Sequence, residues 1–137
     1  MIVQEIMTPK VESISPDATT KEAAQKMHEL HIGSLSVMEN DKLVGIVTDR
    51  DICCRVTATG LDAATTNVRK IMSTEVTTCF EDQDISEAAG LMADHHIRRL
   101  AVLHRDNSIA GFLSVEDLAR NSHDLASTVL EAATPIH

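Results

Sequence analysis

Apolar and polar positions along this chain switch between a helical and an extended period, and the same switching pattern runs through it twice. In the first half, Ala23, Ala24, Met27, Leu30 and His31 fall on one helical face; in the second, Ile85, Ala88, Ala89, Met92 and His96 do the same. Both sets follow the i, i+3, i+4, i+7 spacing of an amphipathic helix with one buried side. Start signals stand ahead of each stripe: Asp17, Thr19 and Thr20, then Asp82 and Asp84. Two short alternating runs follow each helix and predict paired strands: Ser34 to Glu39 with Leu43 to Val47, and Leu100 to His104 with Ile109 to Leu113. Polar turns at Asn40-Asp41 and Asp106-Asn107 join them. Short extended runs, Val11 to Ile14 and Val76 to Cys79, precede the helices, and helical lead-ins at Ile2 to Met7 and Val68 to Met72 precede those.

Setting Ile6 on Ile71 brings the halves into register. Met7 meets Met72, Asp17 meets Asp82, Glu22-Ala23-Ala24 meets Glu87-Ala88-Ala89, and His31-Ile32 meets His96-Ile97. One extra residue before Gly111 then aligns Gly45 with Gly111, Thr48 with Ser114 and Asp51 with Asp117. The chain is a tandem duplication, and each copy closes on a glycine, an apolar pair, a hydroxyl residue and, three positions on, an Asp. Read locally, Thr48 with Asp51 and Ser114 with Asp117 are N-terminal caps of a closing helix. The expected division is a first unit over 1–57, a linker over 58–67, a second unit over 68–123, and a C-terminal helix and tail over 124–137. A unit of this size with three short strands is marginal alone, so two copies are expected to pack as a pseudo-twofold pair.

Composition narrows the function. Phe80 and Phe112 are the sole aromatic residues in 137, so the core is aliphatic and there is no stacking platform for single-stranded nucleic acid. A net charge of -9 argues against a phosphate backbone as partner. No apolar run approaches the roughly 20 residues of a membrane span, and the start of the chain lacks the pattern of a secretory signal. Three cysteines, two of them adjacent, make a poor disulfide framework. These features point to the cytoplasm, with no nucleic-acid or membrane partner.

The order of elements, the lead-ins "IMTPKV" and "IMSTEV", and the duplicated "GIVTDRDI" and "GFLSVEDL" turns resemble the CBS domain, named after cystathionine beta-synthase. The resemblance spans nearly the whole chain, which is similar to the stand-alone CBS pairs of the hypoxic response protein group. It implies an α+β fold of two tandem β-α-β-β-α units, each with a small mixed sheet and two helices. It implies an adenosine-containing ligand (AMP, ADP, ATP or S-adenosylmethionine) in clefts between the units, with no cofactor required. By that resemblance Asp51 and Asp117 accept from ribose hydroxyls, and Thr48 and Ser114 lie near ribose or phosphate. Val11, Val76, Ile32 and Ile97 border the adenine, and Arg98 and Arg99 reach phosphates. Gly33-Ser34 stand where the second copy has the arginines, and Ser36 and Ala101 replace a frequent family proline. A homodimer joined through apolar faces of the closing helices (Ile52 and Val56, and Leu118) is also implied, together with an unidentified regulated protein.

An enzyme is not expected, since no nucleophile elbow, phosphate-binding loop or catalytic carboxylate pair is present. His28, His31, His95, His96, Cys53, Cys54 and Cys79 show no zinc-ligand spacing, and no metal site is expected. His31 and His96 read as partly buried structural residues, and Cys53 and Cys54 as small hydrophobes packed on the closing helix. The remaining function readings are a non-catalytic sensor of an adenosyl ligand and an interaction protein with empty clefts that acts through its dimer surface.

Overall fold

Each repeat builds one three-stranded sheet backed by helices. The structure, a computed structural model, describes residues 1–9 and 11–133. The expected tail after the last helix, residues 134–137, lies outside the described residues. In the first repeat β1 (Ser13–Ile14) leads to α1 (Thr20–Leu30), then β2 (Ser34–Glu39), β3 (Lys42–Thr48) and a short α2 (Asp49–Ile52) that continues as a π-helical turn over Cys53–Thr57. The second has α3 (Val68–Ile71), β4 (Thr78–Phe80), α4 (Ile85–His95), β5 (Arg99–Leu103), β6 (Ile109–Ser114), α5 (Val115–Ala119) and α6 (His123–Ala133). In both sheets the first strand runs parallel to the second and the second antiparallel to the third. The α+β class and the repeated unit expected from the sequence are present.

Local chemistry explains the element ends. Thr19 Oγ1 accepts the Glu22 N–H at 3.1 Å and opens α1, while Asp84 accepts the Ser86 N–H at 2.9 Å and opens α4. Both helices stop at a histidine in the left-handed region, His31 and His96, each with φ near 56°. That conformation turns the chain sharply into the following strand. Both histidines are exposed, which corrects the expectation of partial burial: a left-handed end residue projects out of the stripe that precedes it.

The chain divides into two compact units, residues 1–11 with the chain from Thr77 onward, and residues 12–76. Each repeat's lead-in therefore serves the sheet of the other repeat. Near the start of the chain Val3 is wholly buried among Cys79, Met92, Leu100 and Leu113, and Thr8 exchanges both backbone hydrogen bonds with Phe112, at 2.8 and 2.9 Å. Correspondingly, Val68 and Ile71 join Ala23, Met27, Leu35, Val37 and Val47, and Ser73 exchanges two bonds of 2.9 Å with Ile46. These pairings explain the duplicated glycines. A Cβ at Gly111 would lie 2.4 Å from the Thr8 carbonyl oxygen, and one at Gly45 would lie 2.8 Å from both the Ser73 oxygen and the Met72 sulfur.

The closing helices differ in what covers them. In the unit that contains the N-terminus, α6 packs on α4 and α5, and its Ala126 and Val129 join the core that buries Leu118 completely. Leu118 is thus an internal residue, as is Val56 in the core of the other unit, contrary to their expected place on a dimer surface. Cys53 and Cys54 are exposed on the π-helical turn, whereas Cys79 is buried. The π-helical turn rotates the two adjacent thiols away from the core side held by Val56, so they do not pack as small hydrophobes. Burial pushes the Cys79 thiol up to about 11. A chromogenic thiol reagent at neutral pH is therefore expected to modify two cysteines quickly and the third after unfolding. Substituting Cys53 or Cys54 by serine should change stability by less than about 0.5 kcal/mol.

Candidate functional site

The duplicated turns form reciprocal caps. At Thr48, the Asp51 N–H donates to Thr48 Oγ1 at 3.0 Å and the Thr48 N–H donates to Asp51 Oδ2 at 3.0 Å. At Ser114, the Asp117 N–H donates to Ser114 Oγ at 3.2 Å and the Ser114 N–H donates to Asp117 Oδ2 at 3.0 Å. Each pair satisfies two N–H groups that a helix start leaves without an intrahelical partner.

The other oxygen of each carboxylate faces an arginine on the same closing turn. Arg120 donates to Asp117 Oδ1 at 3.0 Å, and Arg55 Nε lies 3.8 Å from Asp51 Oδ1. Arg55 also donates to the Ile71 carbonyl at 3.0 Å, which fixes it across to the helix that precedes β4. The two carboxylates differ in shielding: the Asp117 side chain is 3% exposed and that of Asp51 14%. Neither arginine stands out in the sequence, although Asp51 to Arg55 and Asp117 to Arg120 are i,i+4 and i,i+3 spacings that bring charges together on a helix.

Strand register brings further residues to these turns. Ser34 is the cross-strand partner of Thr48, and Arg99 is the partner of Ser114. Main-chain bonds lock the approach to each turn: the Asp49 N–H donates to the Gly33 carbonyl at 3.0 Å, and the Val115 N–H donates to the Arg98 carbonyl at 2.9 Å. Arg98 and Arg99 are exposed and belong to the unit of Ser114 and Asp117. In the first repeat the residue after the hydroxyl is Asp49, whose carboxylate lies beside Gly33; the second repeat has Val115 and Arg98 there. The two turns therefore share a backbone and differ at this pair of positions, Asp49 beside Gly33 in one and Val115 with Arg98 in the other.

Ile32 and Ile97, both partly buried, follow the left-handed histidines and donate their N–H groups to Met27 and Met92, each at 3.0 Å. Val11 and Val76 are partly exposed; Ile32 and Val76 lie in the same unit as the Thr48 turn, and Ile97 and Val11 in the same unit as the Ser114 turn. Among the described residues, no three His, Cys, Asp or Glu side chains are grouped to hold a metal ion. No helix among them is long and apolar enough to cross a membrane.

Two three-stranded mixed sheets, each ending in a hydroxyl–carboxylate capped turn, define a duplicated CBS-type module. The chain belongs to the CBS domain family, whose model matches residues 3–57 and again 68–124. It is 38% identical over 130 residues to the CBS domain-containing protein YhcV of Bacillus subtilis, a match that spans 93% of this chain and 91% of that protein. The crystal structure of Hypoxic Response Protein I with two coordinated zinc ions superposes with a TM-score of 0.79 at 30% identity, over 88% of this chain and 98% of that one. A CBS domain pair in complex with 5′-methylthioadenosine and S-adenosyl-L-methionine shares the fold, with a TM-score of 0.77 at 24% identity over 88% of this chain and 94% of its own.

Proposed function

We propose that the chain is a non-catalytic regulatory module that binds an adenosine-containing ligand at its Thr48–Asp51 and Ser114–Asp117 turns. The observation that carries this reading is the duplicated carboxylate, held by its cap and still able to accept more. An ionised carboxylate has about four acceptor positions. Capping occupies one oxygen of Asp117, and the other meets Arg120, whose side chain is 71% exposed and can turn toward water. A ribose presents two vicinal hydroxyls, and a fixed carboxylate can accept from both. Ile32 and Val76, or Ile97 and Val11, supply the apolar border for the base. The family relationship supports the class of ligand, AMP, ADP, ATP or S-adenosylmethionine.

Arg98 and Arg99 add the means to hold phosphate in a molecule whose net charge is -9. Losing one charge-assisted contact of this kind costs about 1.5–3 kcal/mol. Arg99→Ala is therefore expected to weaken ATP by about tenfold or more while leaving adenosine within about twofold, measured by calorimetric titration. Equal affinity of the unsubstituted protein for adenosine and ATP would remove the phosphate role from the arginines.

A second reading, an interaction module acting through a dimer surface, is favoured by one observation. The unit of residues 12–76 keeps an open depression of about 260 Å³ lined by Ala24, Met27, His28, Ile32, Asp49 and Ile52. By the repeat alignment this corresponds to the helix face that α6 covers in the other unit. We place the homodimer contact there, through Ile52 and its neighbours. Sedimentation at micromolar concentration should give twice the chain mass, and Ile52→Glu should return it to the mass of one chain.

A further inference from the structure

The segment between the repeats is docked onto the start of α1. The Thr20 N–H donates to the Thr66 carbonyl at 2.8 Å, and the Ala63 carbonyl accepts from the Lys21 N–H and from the Thr20 hydroxyl, each at 3.1 Å. Beside α3 this segment leaves an open depression of about 530 Å³, whose lining includes Leu61, Asp62, Thr66, Asn67, Arg69 and Lys70. Small-molecule sites ordinarily measure roughly 300–1,000 Å³. All of these residues belong to the unit of residues 12–76.

Several polar groups of this lining lack a partner within the protein. Thr66 is 7% exposed, yet its hydroxyl makes no hydrogen bond with another described residue. Buried hydroxyls ordinarily have a partner, so this one is served from the depression. Asn67 stands at the start of α3 without capping it. Lys70 is exposed and forms no ion pair with another described residue. Asp62 Oδ1 accepts the Ala64 N–H at 2.9 Å, which leaves Oδ2 for a ligand. The Arg69 guanidinium, by contrast, is engaged by Glu39 and by Asp17, the latter at 3.3 Å. Docking alone does not require these side chains. Setting Ile6 on Ile71 places Met1 on Thr66, Ile2 on Asn67 and Glu5 on Lys70. Ile2 bridges to Asp84 as Asn67 bridges to Thr19, so different residues make the same docking in the other unit.

The charges select the ligand. Lys70 and Asp62, four residues to either side of Thr66, put a cation and an anion on one depression, with the partly buried Leu61 as its apolar part. A dianion such as phosphate would meet Asp62 and the two carboxylates on Arg69, in a molecule of net charge -9. A ligand that carries both charges avoids that repulsion. We propose that this depression is a second ligand site, for a small zwitterionic amino acid with an apolar side chain. Its carboxylate accepts from the Lys70 ammonium, the Thr66 hydroxyl and the Asn67 carboxamide. Its ammonium donates to Asp62, and its side chain lies on Leu61. The site shares no residue with the Thr48 and Ser114 turns and does not depend on the adenosyl-ligand reading.

The experiment titrates L-leucine by calorimetry into the full chain, into Lys70→Gln and into Thr66→Val, with thermal unfolding of each variant without ligand. Leucinamide, which lacks the carboxylate, and isocaproate, which lacks the ammonium, serve as the matching probes. The expected result is saturable leucine binding with a Kd below about 1 mM, weakened about tenfold or more by Lys70→Gln and about threefold to tenfold by Thr66→Val. Leucinamide and isocaproate should each bind about tenfold or more weakly than leucine. Lys70 is exposed, so Lys70→Gln should unfold at the temperature of the unsubstituted chain, and its lost affinity then belongs to the site. The absence of saturable leucine binding would overturn the proposal, as would undiminished affinity in Lys70→Gln. Isocaproate or inorganic phosphate binding as tightly as leucine would make the depression a simple anion site and overturn the zwitterion.

Discussion

Gly111→Ala is expected to destabilise the protein by about 3–5 kcal/mol, measured by urea unfolding. The added methyl would lie 2.4 Å from the Thr8 carbonyl oxygen and 3.2 Å from the Pro9 Cα. Both are backbone atoms, so no side-chain rotation relieves the overlap. The strand or the N-terminal segment must move, which breaks the Thr8–Phe112 pair of hydrogen bonds and loosens the wholly buried Val3. Gly45→Ala should cost less, about 2–3 kcal/mol, because one of its two closest atoms is the Met72 sulfur, on a flexible side chain. Gly90→Ala is the control: it lies in α4 with nothing within 4 Å of a Cβ, and should stabilise by about 0.5–1 kcal/mol. A Gly111→Ala protein within about 1 kcal/mol of the unsubstituted one would mean that the lead-in does not dock against β6.

Asp117→Ala should cost about 2–4 kcal/mol, against about 1 kcal/mol for Asp51→Ala. Both substitutions remove a cap. At Asp117, which is 2% exposed, the loss also leaves the partly buried Ser114 N–H without its acceptor and Arg120 without its carboxylate. The Arg120 ion pair itself adds little, because its guanidinium is largely in water. Asp51 is more exposed and its arginine sits at 3.8 Å, so water can replace more of what it provides. Chemical unfolding of the two variants side by side checks the ordering; equal losses would show that burial of Asp117 has no energetic consequence.

Much of this architecture is legible in the order of residues alone. The two apolar helical stripes and the S/T-x-x-D caps depend on spacings within about eight residues, and the helices and caps form as those spacings direct; the duplication is legible because the same spacings recur when Ile6 is set on Ile71. What escapes local reading is long-range. Nothing in "IMTPKV" says that it will pair with Phe112, more than a hundred residues away; the only trace is the glycine at Gly45 and Gly111, whose reason is a neighbour and not a turn. Cys53 and Cys54 mislead for a related reason. Their place after Ile52 suggests the core side of a regular helix, but the π-helical turn shifts the face by adding a residue to the ring. His31 and His96 end apolar stripes in sequence yet fall in the left-handed region, where the stripe no longer applies. Arg55 and Arg120 are legible as helix spacings, but a charged pair on a short closing helix usually marks only a solvated surface.

The adenosyl-ligand reading stands or falls most directly on one calorimetric titration, adenosine into the unsubstituted protein and into Asp117→Asn. Asparagine keeps an acceptor for the Ser114 N–H, so the cap and the fold survive while the charge that a ribose would meet is lost. The account predicts saturable binding to the unsubstituted chain with a Kd below about 1 mM, weakened about tenfold or more at one site by Asp117→Asn. Undiminished affinity in a folded Asp117→Asn would contradict it. So would the absence of binding heat and of any thermal stabilisation with adenosine, AMP, ATP and S-adenosylmethionine at millimolar concentration, which would leave Thr48–Asp51 and Ser114–Asp117 as helix caps and nothing more.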